Sequence, residues 1–175
     1  SFLHDSDDVK VEDRTGQVIP VRTYRPGDFY RRMPFDATVR TTLGAQRVLV
    51  VGLGSMGAPL VLGLARAGVG HIAGADPDAL EVHNCMRHVL GTRFIGWNKA
   101  LGMVEYLRTA TPEIRFDALP EDLFSGDRRA LAHVLDELRP DAIVAATDSR
   151  NVQILSQMAA LHCRARFISL GAFNH

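Results

Sequence analysis

At 175 residues, with 46% hydrophobic and 23% charged side chains, the chain can fill one compact domain plus an appendage, not two full cores. Its 20 Lys and Arg balance 20 Asp and Glu, so no net charge points to a nucleic-acid or membrane partner. Cys85 and Cys163 are too few and too far apart for a disulfide framework or a zinc site, and no apolar run or leader suggests a membrane span or export. A cytoplasmic, reducing location is therefore expected.

The chain starts at Ser1 and stops at His175, just after an apolar strand-like run, and both ends read as cut from something longer. Residues 1–44 form an N-terminal extension of different texture. Asp5, Asp7 and Asp8 make its start polar. Residues 9–24 alternate apolar and polar side chains around Thr15-Gly16, the pattern of a small hairpin, with Pro20 disfavouring a central position for the second strand. Arg25-Pro26-Gly27 is a turn, and 29–40 suits a short helix presenting Arg31, Arg32 and Arg40.

From residue 45 strands alternate with helices. Strands are expected at 48–51, 71–76, 114–119, 142–146 and 166–170. Helices are expected from 57 to about 67, and at 79–90, 96–110, 128–138 and 151–163. Val48-Leu-Val-Val51 is a continuous apolar run, the mark of a strand buried on both faces. The succession predicts an α/β domain over 45–175: a doubly wound, mainly parallel, Rossmann-like sheet with helices on both faces. Its ligand crevice belongs at the carboxyl ends of the strands, where the strand order reverses.

The first of these strands runs into Gly52-Leu-Gly-Ser-Met-Gly57, a GxGxxG loop opening a helix. Gly52 permits the tight turn, Gly54 allows close approach to phosphate, and Gly57 lets helix pack on strand. The helix N-terminus offers unpaired N–H groups to an anion. Asp76 ends the second strand 22 residues after Gly54, where a carboxylate binds ribose hydroxyls. These features alone do not separate NAD from ATP.

The segment after Asp76 does. Asp78, Asn84, Arg87 and Lys99 follow in quick succession, and Asp148 stands just beyond the fourth strand. Ala67-Gly-Val-Gly70, Asp76-Pro-Asp78, Asn84-Cys-Met-Arg-His88, Gly96-Trp-Asn-Lys-Ala100 and Ala146-Thr-Asp-Ser149 agree with a known pattern in order, spacing and residue type. On these motifs the sequence over 47–175 resembles the ThiF/MoeB/HesA and ubiquitin-activating-enzyme family. The resemblance implies an adenylyltransferase that activates the C-terminal glycine carboxylate of a ubiquitin-like or sulfur-carrier protein. It assigns Arg87 and Lys99 to the ATP phosphates, Asn84 to the nucleotide, Asp76 to the ribose and Asp148 to Mg²⁺, with Arg87, Lys99 and Asp148 as the catalytic set. It also implies a homodimer, or pairing with a related subunit, in which Arg31, Arg32 or Arg40 reaches a partner's site.

Such chemistry has a physical requirement. A carboxylate attacking the α-phosphate brings an anion to a polyanion, so cations must surround the phosphates and a metal must hold the pyrophosphate. One carboxylate suffices for magnesium, which takes its other ligands from phosphate and water. Singly, each residue has a plainer reading: Arg87, Lys99, Arg93 and Arg150 as surface charges, Asn84 and Asp78 as caps, Asp148 as N-cap of the last helix, both cysteines as packing residues. The chain departs from the family pattern at His88 for Gln, Ser149 for Asn and Ser55 for Gly. His88 is expected to titrate near neutral pH, and Ser55 to touch phosphate or cap the helix. An NAD-dependent oxidoreductase, or a non-catalytic docking and dimerisation module, stands as the alternative.

Overall fold

The computed structural model describes residues 9–12, 15–21, 36–111, 114–125 and 128–171. Arg31, Arg32 and residues 29–35 of the expected first helix lie outside the described residues. The chain divides into two compact units, Ser1–Phe35 and Asp36–His175.

In the first unit β1 (Val9–Glu12) and β2 (Val18–Val21) form an antiparallel hairpin with Val9 opposite Val21 and Lys10 opposite Pro20. In a two-stranded ribbon both strands are edges, which accommodates a proline that cannot donate to a ladder.

The second unit begins with α1 (Ala37–Gly44), capped by Asp36, whose carboxylate accepts the Val39 N–H. Helix α1 is joined to the sheet unit through its C-terminus. The Gly70 N–H donates to the Leu43 carbonyl, and a Cβ on Gly70 would lie 1.9 Å from the Gly44 carbonyl oxygen. The glycine ending Ala67-Gly-Val-Gly70 is thus a contact requirement.

Then follow β3 (Arg47–Val51), α2 (Gly57–Ala67), β4 (His71–Ala75), α3 (Lys99–Ala110), β5 (Arg115–Leu119), α4 (Arg128–Leu138), β6 (Ala142–Ala145), α5 (Arg150–Cys163) and β7 (Arg166–Ser169). The five strands are all parallel in the order β5-β4-β3-β6-β7. Side chains alternate across β3 with the period of a strand. Val48 and Val50 pack into one core with Val61 and Ala65 of α2 and Met103 and Leu107 of α3. Leu49 and Val51 face a second core with Leu135 and Leu138 of α4 and Ala159 and Ala160 of α5. The sheet is therefore doubly wound, and its order reverses between β3 and β6, which fixes the crevice there.

Two helix expectations are corrected. Residues 79–90 do not form a helix; they hold a short 3₁₀ turn at Val82–Asn84, and another lies at Thr92–Phe94. Backbone pairing prevents a helix: Ala79 bridges Asn98, the Leu80 N–H donates to the Trp97 carbonyl and the Gly96 N–H to the Leu80 carbonyl. The helix expected from 96 starts at Lys99, because Gly96 has φ +85° and Asn98 caps the Ala100 and Leu101 N–H groups.

Ser156 on α5 is fully buried and its hydroxyl has no hydrogen-bond partner among the described residues. Burying an unsatisfied hydroxyl costs about 1–3 kcal/mol. Ser156→Ala is expected to raise the melting temperature by roughly 2–4 °C. Thermal denaturation checks this, and a fall instead would show that the hydroxyl is bonded. No helix among the described residues is long and apolar enough to cross a membrane.

Candidate functional site

The glycine loop sits at the reversal point. The Gly52 N–H bonds the Ala75 carbonyl of β4, and the Ala146 N–H bonds the Val51 carbonyl, so the loop is stitched to both neighbouring strands. Gly52 takes φ +89°, and a Cβ there would lie 2.4 Å from the Ala146 carbonyl oxygen. A Cβ on Gly57 would fall 1.8 Å from the Gly52 carbonyl oxygen. Gly54 is different: nothing stands within 4 Å of where its Cβ would be. Crowding demands the outer glycines, while the middle one leaves open space. Helix α2 has Met56 at its N-cap and no side-chain cap, so its positive end is left to an anion. Ser55 is exposed and does not cap the helix, so the expectation of a cap is corrected.

Asp76 is 5% exposed and at the centre of a network. Its Oδ2 accepts the Leu53 N–H at 2.7 Å, and its Oδ1 accepts the Asp78 N–H at 2.9 Å with the Lys99 ammonium at 3.6 Å. Lys99, itself only 8% exposed, reaches Asp78 Oδ2 at 2.9 Å. Asp78 thus holds a cation as well as a turn, a role that its sequence context did not reveal. The signal available was its spacing: Asp76-x-Asp78 presents two carboxylates to one lysine.

Asn84 closes a capping box, its Oδ1 accepting the Glu81 N–H at 3.0 Å. Arg87 is exposed and has no ion-pair partner among the described residues. Arg93 instead reaches Glu105 at 3.7 Å and lies over the Phe94 ring, as a surface charge does. His88 is buried, and burial pushes its proton affinity below the ordinary histidine value. The Leu53 carbonyl opposes that fall, nearby Lys99 deepens it and Asp76 opposes it. The expectation of titration near neutral pH is therefore corrected downward.

Beyond β6, Asp148 is not the N-cap of α5. Ser149 caps that helix, its hydroxyl accepting the Val152 N–H. Thr147 anchors the turn: its hydroxyl accepts the Ser149 N–H at 3.1 Å, and its carbonyl accepts from the Gln153 amide at 2.7 Å. Asp148 itself is exposed and makes no hydrogen bond among the described residues, so its carboxylate is available. Gln153, which sequence reasoning passed over, fixes the backbone that presents it.

These elements enclose one cleft of about 580 Å³, lined by Gly52, Gly54, Ser55, Asp76, Asn84, Arg87, Lys99 and Asp148. Met56, Asp78, His88, Ala146, Thr147, Leu170 and Gly171 complete its walls. The volume is that of a small-molecule site. Of the residues proposed from sequence for the nucleotide and the metal, all but Gly57 line it; Gly57 is buried against the Gly52 carbonyl behind the loop. Among the described residues no cluster of three or more His, Cys, Asp or Glu is placed to hold a metal. One free carboxylate at the rim fits a magnesium whose remaining ligands come with a phosphate.

The model of the ThiF family matches residues 30–174. A sulfur carrier protein adenylyltransferase of Thermus thermophilus is 36% identical over 116 residues, 65% of this chain and 41% of that protein. The adenylyltransferase and sulfurtransferase MOCS3 of Anopheles gambiae is 34% identical over 129 residues, 73% of this chain and 28% of its own length. The chain thus spans well under half of these relatives. Among solved structures, Escherichia coli MccB with ATP superposes with a TM-score of 0.67 at 25% identity, covering 78% of this chain and 40% of MccB. The E. coli tRNA N6-threonylcarbamoyladenosine dehydratase TcdA, in complex with ATP, has a TM-score of 0.69 at 24% identity, covering 85% and 59%. The latter likeness is one of fold.

Proposed function

Because the chain belongs to the ThiF family, we propose that it binds ATP in this cleft and takes part in adenylating the C-terminal glycine carboxylate of a ubiquitin-like or sulfur-carrier protein. The observation that carries the reading is the convergence of the glycine loop, Arg87, Lys99 and Asp148 on one cleft. The names of the T. thermophilus and A. gambiae relatives support the adenylyltransferase class. The MccB structure with ATP supports the nucleotide.

In the reaction a carboxylate oxygen forms a bond to the α-phosphorus, the bond from that phosphorus to the pyrophosphate oxygen breaks, and acyl-adenylate and pyrophosphate result. The approach of two anions must be screened. Lys99 is already shared between two carboxylates, so its charge is largely spent until a phosphate draws it away. Among the described residues that line the cleft, Arg87 is the cation without an ion-pair partner, and the end of α2 carries no side-chain cap. Asp148 is the residue that would hold Mg²⁺, which supplies further charge neutralisation at the phosphates when bound. Asn84 and the carboxylate of Asp76 would meet the nucleoside end. Asp76 has one lone pair left on Oδ2 for a ribose hydroxyl, since its other contacts are internal.

We further propose that the protein acts as a homodimer or beside a related subunit. Among the described residues β7 is an edge strand carrying the half-exposed Ile168, and Arg40 lies exposed on α1.

Calorimetric titration tests the nucleotide. Mg²⁺-ATP is expected to bind and NAD to bind far more weakly. Tight NAD binding with no ATP binding would overturn the reading in favour of an oxidoreductase.

A further inference from the structure

We propose that His88 is a positioning residue: as a neutral imidazole in a single tautomer it aims the Gly54 N–H into the cleft, and nucleotide binding weakens when it is protonated. The proposal rests on the nucleotide reading above.

The tautomer follows from the partners. Nδ1 lies 3.1 Å from the Leu90 N–H, which can only donate, so Nδ1 must be the bare acceptor. Nε2 therefore carries the proton and donates it to the Leu53 carbonyl. On its other side Leu53 donates its own N–H to Asp76 at 2.7 Å. Both backbone groups of Leu53 are thus held, and its side chain is fully buried.

The Leu53 carbonyl and the Gly54 N–H belong to one planar trans peptide, in which they point in opposite directions. Anchoring the carbonyl on buried His88 turns the Gly54 N–H away from the core. That N–H has no partner among the described residues, and the space around the Cβ position of Gly54, in the cleft wall, is open. An unpaired backbone donor held in place before the ligand arrives is what a phosphate site requires.

Protonation would undo the arrangement. Imidazolium puts a second N–H at Nδ1, facing the Leu90 N–H donor to donor with the Lys99 cation near; the Leu53 carbonyl and the Asp76 carboxylate compensate only in part, so the ring is driven from the position that holds Leu53. Because burial lowers the proton affinity of His88, the clamp is intact through the neutral range. The stability it contributes is present above the ordinary histidine value and is lost as pH falls through the lowered one.

The test compares wild type with His88→Gln and His88→Leu. The Gln amide can donate to Leu53 and accept from Leu90, whereas Leu can do neither. Three readouts are used: Mg²⁺-ATP affinity by calorimetry across pH, melting temperature, and imidazole ¹⁵N shifts without nucleotide. His88→Leu is expected to weaken ATP roughly tenfold, about the weight of one well-formed hydrogen bond to an anion. His88→Gln is expected to stay within about threefold of wild type on the same scale, and to lack the part of the acid-side loss that wild type shows. The spectrum is expected to show Nε2 protonated. Equal affinity of His88→Leu and wild type, identical pH profiles of wild type and His88→Gln, or a proton on Nδ1 would each overturn the proposal. Failure of the nucleotide reading is seen separately, as absence of ATP binding to wild type. The clamp on Leu53 then stands or falls on the spectrum and on the melting temperatures.

Discussion

Replacing Asp148 by Ala is expected to reduce ATP–pyrophosphate exchange by a hundredfold or more on the order-of-magnitude scale of metal-assisted charge stabilisation, with almost no change in folding. Usually a substitution that abolishes activity leaves fold and function hard to separate. Here the structure separates them. Asp148 is exposed and makes no hydrogen bond among the described residues, and the capping of α5 belongs to Ser149. Its backbone is held by Thr147 and Gln153, which the substitution leaves untouched. The melting temperature should therefore stay within about 1–2 °C, since surface changes away from such features usually cost under about 0.5 kcal/mol. Exchange assays and thermal denaturation on one preparation check both halves. Full exchange would remove the metal role from Asp148, and a large drop in melting temperature would mean the side chain is structural.

The opposite separation is expected at the glycine loop. Gly57→Ala should cost upwards of about 4 kcal/mol, the range of exceptional single substitutions. Its new Cβ would fall 1.8 Å from the Gly52 carbonyl oxygen and 3.2 Å from the Ala146 Cβ. Neither can retreat cheaply: Gly52 is bonded to Ala75, and Leu53 beside it is held by Asp76 and His88. Against a total stability of about 5–15 kcal/mol, such a loss leaves little folded protein at 37 °C. Gly54→Ala, three residues earlier, meets nothing within 4 Å. It should fold normally and lose ATP affinity, because its methyl group occupies the space a phosphate needs. Denaturant titration and calorimetry on the two variants distinguish these outcomes. Equal stability of both would mean that the loop yields where its contacts say it cannot.

The contrast between the two glycines also shows what was legible in the sequence. An apolar run followed by GxGxxG and a helix has few structural solutions, so the strand–loop–helix of β3 and α2 and the position of Asp76 were readable from local pattern. The doubly wound sheet followed from the alternation of strands and helices. The segment 79–98 was not readable in this way. Its composition is compatible with helix, but its backbone is committed to long-range pairing between Leu80 and residues 96 and 97, which no local periodicity records. The same limit hid the partners of the charged groups. Lys99, Arg87 and Asp148 were proposed through the resemblance of their motifs to the family pattern. That Lys99 is held by Asp78, that His88 holds the carbonyl of Leu53, and that Gln153 anchors the turn before Asp148 depend on contacts between distant elements.

The decisive measurement is ATP–pyrophosphate exchange by the full-length protein, with and without small carrier proteins that end in glycine. Exchange is expected to require a carrier with an intact C-terminal glycine and to vanish when that residue is removed. Hydride transfer from NAD, together with no exchange for any glycine-ended carrier, would contradict the assignment of this cleft to carboxylate adenylation.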